Sequence, residues 1–349
     1  MSFRTVSIVL VSLAAASFAA HQGSKAKNPP PKPSTGVQAA VQMPGDNGKI
    51  GVPYQLGKKG EELVVTLEKA EFASRAFWAS DAYFPGEKQR LLILTYAIQN
   101  PGTADRNFSG QSFSFTVVSP DDENYVCDGV TANGMAAIHP DRRDRLNIQI
   151  KPAQKVRALV FISIHPKGPV NKLIVQRGKG TPVLRYDLKE KVKPMTGAFA
   201  DNEGLDMREV GTALMTQTVD LGPWDIVVEK MTEEPAAIGD FTVDPGHKYV
   251  VLTVTIKNAS MTPYPLHNSI ILTKVTDADG SDAPETQYWA KNSTPERFTQ
   301  MTLEPGAQVR LRMLYHVSLL TKLSKITFRD QQYSEMSAAV KLEEPKKDK

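Results

Sequence analysis

The sequence contains the same strand pattern twice, and this internal repeat constrains its fold more than any other feature. A run of alternating apolar residues leads to Asn100, and a matching run leads to Asn258. The two runs consist of Leu92, Leu94, Tyr96 and Ile98, and of Val250, Leu252, Val254 and Ile256. A second pair of matching runs starts at Val156 and at Val309. Self-similarity of this kind marks repeated supersecondary units, so the chain predicts two copies of one domain.

The predicted elements are short strands with alternating apolar residues, separated by turns rich in Gly, Pro, Asn and Asp. Alternation with a period of two places one face of a sheet on a core and the other in water. We therefore predict an all-β fold of two tandem immunoglobulin-like antiparallel β-sandwich domains. The predicted boundaries are residues 51–192 for the first domain, 193–211 for the interdomain linker and 212–342 for the second domain, followed by a charged tail at 343–349.

The first 50 residues predict an exported protein with a flexible leader. Arg4 precedes an apolar stretch at 6–16 and small residues near position 19, which is typical of a signal peptide over residues 1–20. Residues 21–50 are rich in proline and poor in large apolar side chains, so they predict a disordered tether. We expect a secreted protein, extracellular or periplasmic, without a transmembrane segment in the mature chain.

Charge and cysteine content narrow the range of partners. The net charge is +4 over 349 residues, and the basic run at 142–145 is interrupted by Asp144, so no nucleic-acid partner is predicted. The single cysteine, Cys127, cannot form a disulfide within the chain. It is either a small buried residue of a strand, or it forms a disulfide between chains or serves as a reactive thiol, and the sequence leaves these alternatives open.

No catalytic motif is present, so we predict that the protein is not an enzyme, with an uncharacterised hydrolase as the remote alternative. The six histidines are scattered without metal-ligand spacing, and there is no phosphate loop or nucleophile elbow. Residues 277–282 contain three aspartates and resemble an oxygen-rich cation loop, but Asp279 and Gly280 also form a strong hairpin signal. We predict the turn, no metal site and no cofactor.

Aromatic residues outside the regular strands are the best candidates for binding. Trp78, Tyr83 and Phe84 lie between two strands of the first domain, and Trp289 lies on a short strand or loop of the second. Exposed rings bury a large area at little entropic cost, which suits contact with a protein or a sugar. The same rings are also suited to covering the sandwich itself, and both interpretations remain open.

Leu159 and Phe161 interrupt a strand face that the alternation assigns to solvent. An apolar pair on such a face predicts either a patch that docks the other domain or a surface that a loop covers. The sequence does not distinguish these two arrangements.

Three segments resemble a family of bacterial secreted and lipoprotein domains with an immunoglobulin-like fold and no assigned function. They are residues 254–258, 275–280 and 303–306 of the second domain. The first domain departs from the pattern, with Ala153 at the expected glycine and residues 119–122 in place of the Asp-Gly turn. The resemblance implies two tandem copies of an extracellular module and carries no catalytic residues.

These observations predict a secreted, non-enzymatic binding or structural module. It would act through sheet faces or loop aromatics on an unknown protein or cell-surface ligand of the envelope. The alternative is a carbohydrate- or small-ligand-binding protein that uses Trp78, Tyr83 and Phe84 of the first domain.

Overall fold

The computed structural model describes residues 47–78, 81–86, 88–132, 147–283, 287–294, 296–331 and 336–343. All regular structure in these residues is β, which confirms the predicted fold class. The predicted signal peptide, most of the tether and the basic run at 142–145 lie outside the described residues. Within the described part of the chain, no helix has the length and apolar character to cross a membrane.

The first sandwich spans residues 47–187. Its strands are β1 (Asn47–Gly48), β2 (Pro53–Leu56), β3 (Leu63–Ala73), β4 (Ala76–Trp78), β5 (Asp81–Tyr83), β6 (Arg90–Gln99), β7 (Arg106–Ser109), β8 (Phe113–Val118), β9 (Asn124–Val126), β10 (Gly129–Ala132), β11 (Asn147–Ile150), β12 (Lys155–Ile164), β13 (Lys172–Arg177) and β14 (Val183–Asp187). One sheet has the order β1-β14-β13-β8-β9 and the other β10-β12-β6-β3-β2. Small pairs β7-β11 and β4-β5 complete it.

The second sandwich spans residues 210–341. Its strands are β15 (Val210–Leu214), β16 (Thr218–Leu221), β17 (Trp224–Glu234), β18 (His247–Asn258), β19 (Tyr264–His267), β20 (Ile271–Asp277), β21 (Gln287–Lys291), β22 (Gln300–Leu303), β23 (Gln308–Ser318), β24 (Leu323–Asp330) and β25 (Ser337–Lys341). The sheets have the orders β15-β25-β24-β20 and β16-β17-β18-β23-β21, and β19 pairs with β22.

The two sandwiches share their strand order in detail. Each places a parallel pair at a sheet edge, β1 with β14 and β15 with β25, while the other named pairs are antiparallel. In each sandwich the strand that pairs with the Asn-terminated strand has a bulge, at Glu68 in β3 and at Glu229 in β17. The bulged glutamates contact Arg157 and Arg310, the two arginines at matching positions of the repeat. A bulge re-aims a side chain, and here each glutamate reaches across the intervening strand, β6 or β18, to the arginine on the strand beyond it.

A buried asparagine closes one end of the first sandwich. Asn100 is fully buried, and its side-chain amide donates to the carbonyls of Ala104 and Ile150, each at 2.8 Å. Its side-chain oxygen accepts the backbone N–H of Gly102 at 2.9 Å. The residue thus ties the end of β6 to β11 through groups that would otherwise be buried without partners.

Asn258 repeats this arrangement in the second sandwich. It is fully buried and donates to the carbonyls of Thr262 at 2.7 Å and Leu303 at 2.9 Å. Its oxygen accepts the backbone N–H of Ser260 at 2.9 Å. The asparagine that ends each repeated strand is therefore a structural residue, which explains why both repeats contain it.

We predict that Asn258→Ala lowers the free energy of unfolding by about 2 kcal/mol, because it leaves two buried carbonyls and one N–H without partners. Asn258→Asp, which keeps the shape but removes both amide donors, is expected to be at least as destabilising. Urea denaturation followed by tryptophan fluorescence measures both. A loss below about 0.5 kcal/mol, the size of an ordinary surface substitution, would contradict the assigned role.

The two departures of the first domain from the family pattern preserve the backbone geometry. Ala153 has φ 62°, and Gly306 at the corresponding turn has φ 75°. Likewise, Asp122 has φ 59° where Gly280 has φ 84°. The left-handed conformation is strained in residues other than glycine, so these two turns are less stable in the first sandwich than their glycine counterparts in the second.

We predict opposite effects for a pair of exchanges at these turns. Gly306→Ala should destabilise by about 1 kcal/mol through its backbone conformation, because no atom lies within 4 Å of the added Cβ. Ala153→Gly should leave stability equal or slightly higher, since relief of roughly 1–2 kcal/mol of strain outweighs a flexibility cost of roughly 0.5–1 kcal/mol. Thermal unfolding measures both, and equal losses would show that conformation is not the cause.

The segment between the sandwiches is packed rather than loose. Met195, Phe199 and Met207 are buried in an apolar cluster that runs through both sandwiches. Lys193 continues the first sandwich, with its N–H donating to the carbonyl of Ala70 at 2.8 Å. The predicted linker at 193–211 therefore forms part of the core that joins the two sandwiches.

Two of the predicted boundaries differ from the observed strands. Among the described residues, β1 at Asn47–Gly48 precedes residue 51, and β15 begins at Val210, two residues before 212. Neither strand has the long apolar alternation on which the sequence assignment rested. β1 is two residues long and joins the sheet by pairing in parallel with β14.

Candidate functional site

The hairpin β4-β5, which contains the predicted aromatic site, covers the outer face of the first sandwich. The Tyr83 ring stacks on Phe161 with centroids 6.2 Å apart and planes 17° apart. Phe161 is fully buried and forms a small cluster with Leu91 and Ala76, with Leu159 packed against it. Of the two arrangements open for Leu159 and Phe161, the structure shows the one in which a loop covers them.

The described aromatic side chains of this hairpin pack against other residues of the first sandwich. The Tyr83 hydroxyl lies 3.2 Å from the Ser163 hydroxyl, and burial raises the pKa of Tyr83 above its usual value. Phe84 is half-buried and meets Phe77 edge to face at 6.1 Å. The backbone of Trp78 belongs to β4, whereas its side chain lies outside the described residues. A binding role for Trp78, Tyr83 and Phe84 stays a prediction.

Trp289 is separate from these three residues. It lies in β21 of the second sandwich, where it is only 2% exposed and stacks on Phe298 at 6.0 Å. Its indole N–H has no hydrogen-bond partner among the described residues. In this structure the ring is core, so the structure does not bring the four predicted residues into one site.

Arg75 connects the two sandwiches. It follows β3 in the first sandwich, and its guanidinium reaches the second, where it donates to the carbonyls of Gly222 at 2.8 Å and Trp224 at 2.9 Å. It also forms an ion pair with Asp225. The Arg75 side chain is 13% exposed, so these contacts lie mostly out of water. Because a guanidinium is planar and here meets three acceptors, it fixes both the distance and the relative orientation of the two sandwiches at this contact.

Neighbouring contacts reinforce this connection. The Ser74 hydroxyl donates to the carboxylate of Asp220, and the other oxygen of that carboxylate accepts the N–H of Ala198 at 3.2 Å. One carboxylate thus joins the first sandwich, the connecting segment and the second sandwich. Such a shared acceptor fixes the angle between the sandwiches.

We predict that Arg75→Ala destabilises the protein by about 3 kcal/mol, because it leaves Asp225 and two carbonyls without their partner. It should also separate the unfolding of the two sandwiches into two calorimetric transitions, because they would no longer unfold as one unit. Arg157→Ala is the matched control, since the Arg157 side chain is 68% exposed in its pair with Glu68. Exposed pairs contribute little, so that variant should keep one transition. A single transition in Arg75→Ala would contradict the role assigned to this contact.

A cleft with a volume of about 780 Å³ opens beside this junction. Its lining comes from four stretches of the chain, namely the turn before β6, the residues after β12, the connecting segment up to the start of β15, and the start of β25. The lining residues are Lys88, His165, Pro166, Lys167, Asp206, Met207, Arg208, Glu209, Val210, Met336 and Ser337. Two hydrogen bonds hold its walls together. Met207 N–H donates to Pro166 O at 2.7 Å, and Gly168 N–H donates to an Asp206 carboxylate oxygen at 2.8 Å. The volume is in the range typical of ligand sites.

Arg90 lies next to this cleft and is almost completely buried, at 1% exposure. One guanidinium nitrogen donates to Gly168 O, while Nε and the other nitrogen have no hydrogen-bond partner among the described residues. The guanidinium lies over the ring of Phe72 at 4.0 Å. Burial lowers the pKa of Arg90 to about 10, and Asp206 and Asp201 oppose that shift. A buried and incompletely paired cation thus stands behind one wall of the cleft.

Sequence reasoning did not find this cleft. Its residues come from four separate segments, and none of them forms a motif. The only signal was the apolar content of the connecting segment, where Met195, Phe199 and Met207 are more hydrophobic than a flexible linker requires. That signal indicated burial of the segment, and therefore a junction, without indicating a ligand.

The remaining candidates have structural roles. Cys127 is buried, with its thiol donating to Gly129 O at 3.3 Å, as expected for a small buried residue. The Asp277 carboxylate accepts the N–H groups of Asp279 at 3.0 Å and Ser281 at 2.8 Å, so it stabilises its own turn. Among the described residues, no group of three or more potential ligands is arranged to hold a metal ion.

Two histidines that are far apart in the sequence come together. The rings of His247 and His316 stack at 4.7 Å, and the Asp244 carboxylate lies 3.8 Å from His316. The residues lie on neighbouring strands β18 and β23, a pairing that histidine spacing along the chain does not reveal.

Comparison with known proteins gives a family without an assigned function. Residues 214–339, less than half of the chain, match a family model described as "Domain of unknown function (DUF4352)". No curated protein matches the sequence.

Two solved structures are similar to parts of the chain. An uncharacterised β-sandwich protein from Clostridium difficile 630 is 10% identical, with a TM-score of 0.31, over 42% of this chain and 97% of its own. The yjhA protein from Bacillus subtilis is 13% identical, with a TM-score of 0.27, over 38% of this chain and 99% of its own. Both likenesses are weak, and no functional argument rests on them.

Proposed function

We propose that this protein is an exported, non-enzymatic binding protein in which two β-sandwiches, joined as one body, hold a partner in the cleft at their junction. The observation that carries the proposal is the cleft itself, a volume of about 780 Å³ lined by four separate segments of the chain. A large concave surface with both apolar and charged side chains is the usual form of a binding site.

The rigidity of the walls supports this proposal. The hydrogen bonds of Met207 and Gly168 fix the connecting segment against the end of β12. Arg75 and its acceptors fix the second sandwich against the first. A site whose walls are already ordered loses less entropy when a partner binds, and so binds more tightly for the same contacts.

The chemistry of the lining favours binding over catalysis. The ring nitrogen Nδ1 of His165 accepts the backbone N–H of Lys167 at 3.2 Å. The Asp206 carboxylate accepts the backbone N–H of Gly168. These two groups, which would be the natural acid and base of the cleft, are used to shape its wall, whereas a catalytic pair would be oriented toward a reacting group.

Export and duplication are the remaining parts of the proposal. The apolar stretch at 6–16 and the small residues after it support cleavage of residues 1–20 and release from the cytoplasm. The shared strand order, bulges and buried asparagines support two tandem copies of the family's domain. The aromatic hairpin supports binding less well than the cleft does, because Tyr83 stacks on the sandwich's own Phe161.

The test places a photo-crosslinking amino acid at Ser337, on the wall of the cleft. We expect a discrete adduct when the purified protein is mixed with culture medium and envelope extract of the cells that make it. The matched control has the same amino acid at Ser114, an exposed position on β8. Adducts of equal mass and yield at both positions, or no adduct at Ser337, would contradict binding in the cleft.

A further inference from the structure

We propose that the occupant of the cleft is a peptide segment in which acidic side chains accompany apolar ones. This inference rests on the proposed function and specifies the chemistry of the partner. It follows from three features of the cleft: the exposed cations on its walls, the buried cation behind one wall, and an apolar floor.

The charged side chains of the cleft lining give it a small excess of positive charge. Lys88 and Lys167 are exposed, and no ion pair among the described residues joins either of them, or Arg208, to a carboxylate. The acidic residues of the lining are Asp206 and Glu209. Asp206 keeps its negative charge while it accepts the N–H of Gly168, so three cations stand against two carboxylates and the lining has a net charge of +1.

The buried Arg90 adds to this field. Its charge is offset only in part. It donates to one carbonyl and lies over an aromatic ring, and two of its nitrogens have no hydrogen-bond partner among the described residues. The carboxylates of Asp206 and Asp201 favour its charged form without pairing with it directly. Arg90 is linked to the cleft wall through Gly168, whose N–H in turn contacts Asp206. A charge behind a wall with few polarisable neighbours is screened less than a surface charge, so it favours anions in the cleft.

The floor of the cleft supplies the apolar half of the recognition. Met207 and Met336 line it with flexible side chains, and Val210 is 39% exposed at the start of β15. Methionine adapts to irregular apolar partners, which suits a peptide side chain. Cations around an apolar floor are complementary to a chain that alternates carboxylates with aliphatic groups.

The test is an array of immobilised hexapeptides in which Glu, Lys, Ser and Leu are permuted, probed with the purified chain. We expect bound peptides to be enriched in both Glu and Leu. For the best peptide, fluorescence anisotropy should show affinity falling about tenfold or more in Lys88→Glu/Lys167→Glu, since like charges would then face each other. Lys58→Glu/Lys59→Glu makes the same charge change in the turn between β2 and β3, and should leave affinity unchanged within about twofold.

Each other outcome overturns the inference. Enrichment in Lys, enrichment without Leu, or no bound peptide would reject the chemistry assigned to the partner. If a peptide with Glu and Leu binds both double variants equally well, its binding site lies outside the cleft. Dodecyl phosphate that binds in the cleft where no peptide does would identify an amphiphilic lipid as the occupant. The crosslink at Ser337 does not depend on these results, so failure of the ligand class is distinguishable from failure of the proposed function.

Discussion

The contact of Arg75 with the second sandwich is the interaction on which the rest of the structure depends. Each sandwich has its own pair of sheets, so nothing in their hydrogen-bonded strands sets the angle between them. The guanidinium sets that angle by satisfying two backbone carbonyls and Asp225 together. The cleft exists only at that angle, because its walls come from both sandwiches and from the segment between them. A contact outside the cleft thus defines the shape of the cleft.

The duplicated architecture allowed one position to diverge without altering the fold. Near the start of β18, the buried Lys248 pairs with Glu233 at 2.8 Å. At the equivalent place in β6, Arg90 lies over Phe72, and among the described residues Asp206 and Asp201 favour its charge without forming an ion pair with it. A buried cation without full pairing costs stability, so the second sandwich has the more stable solution. The first sandwich has the less stable arrangement, with an incompletely paired arginine, on the side where the cleft lies. This location connects Arg90 with binding.

The sequence predicted those parts of the fold in which one face of a long strand is buried. The alternating runs that lead to Asn100 and Asn258 form β6 and β18, and those that start at Val156 and Val309 form β12 and β23, because alternation specifies both the face and the register. The strands β1 and β15, which are held by parallel backbone pairing at a sheet edge, were not predicted. The cleft was not predictable, because it depends on side chains such as Lys88, Lys167 and Met336 that meet only through tertiary packing.

Aromatic residues in loops illustrate why composition alone did not locate a site. Phe161 was noted as an apolar residue on a solvent face, and Tyr83 was noted separately as a candidate contact residue. The structure shows that they are two halves of one packing arrangement, since the hairpin that contains Tyr83 covers Phe161. The second sandwich has a comparable cover, in which Phe241 packs against Tyr249 and Leu314. Apolar residues on a solvent-side sheet face therefore indicate that an aromatic loop covers them, and an aromatic loop indicates such a face. The charged cleft is filled by neither, so it is the surface left for binding.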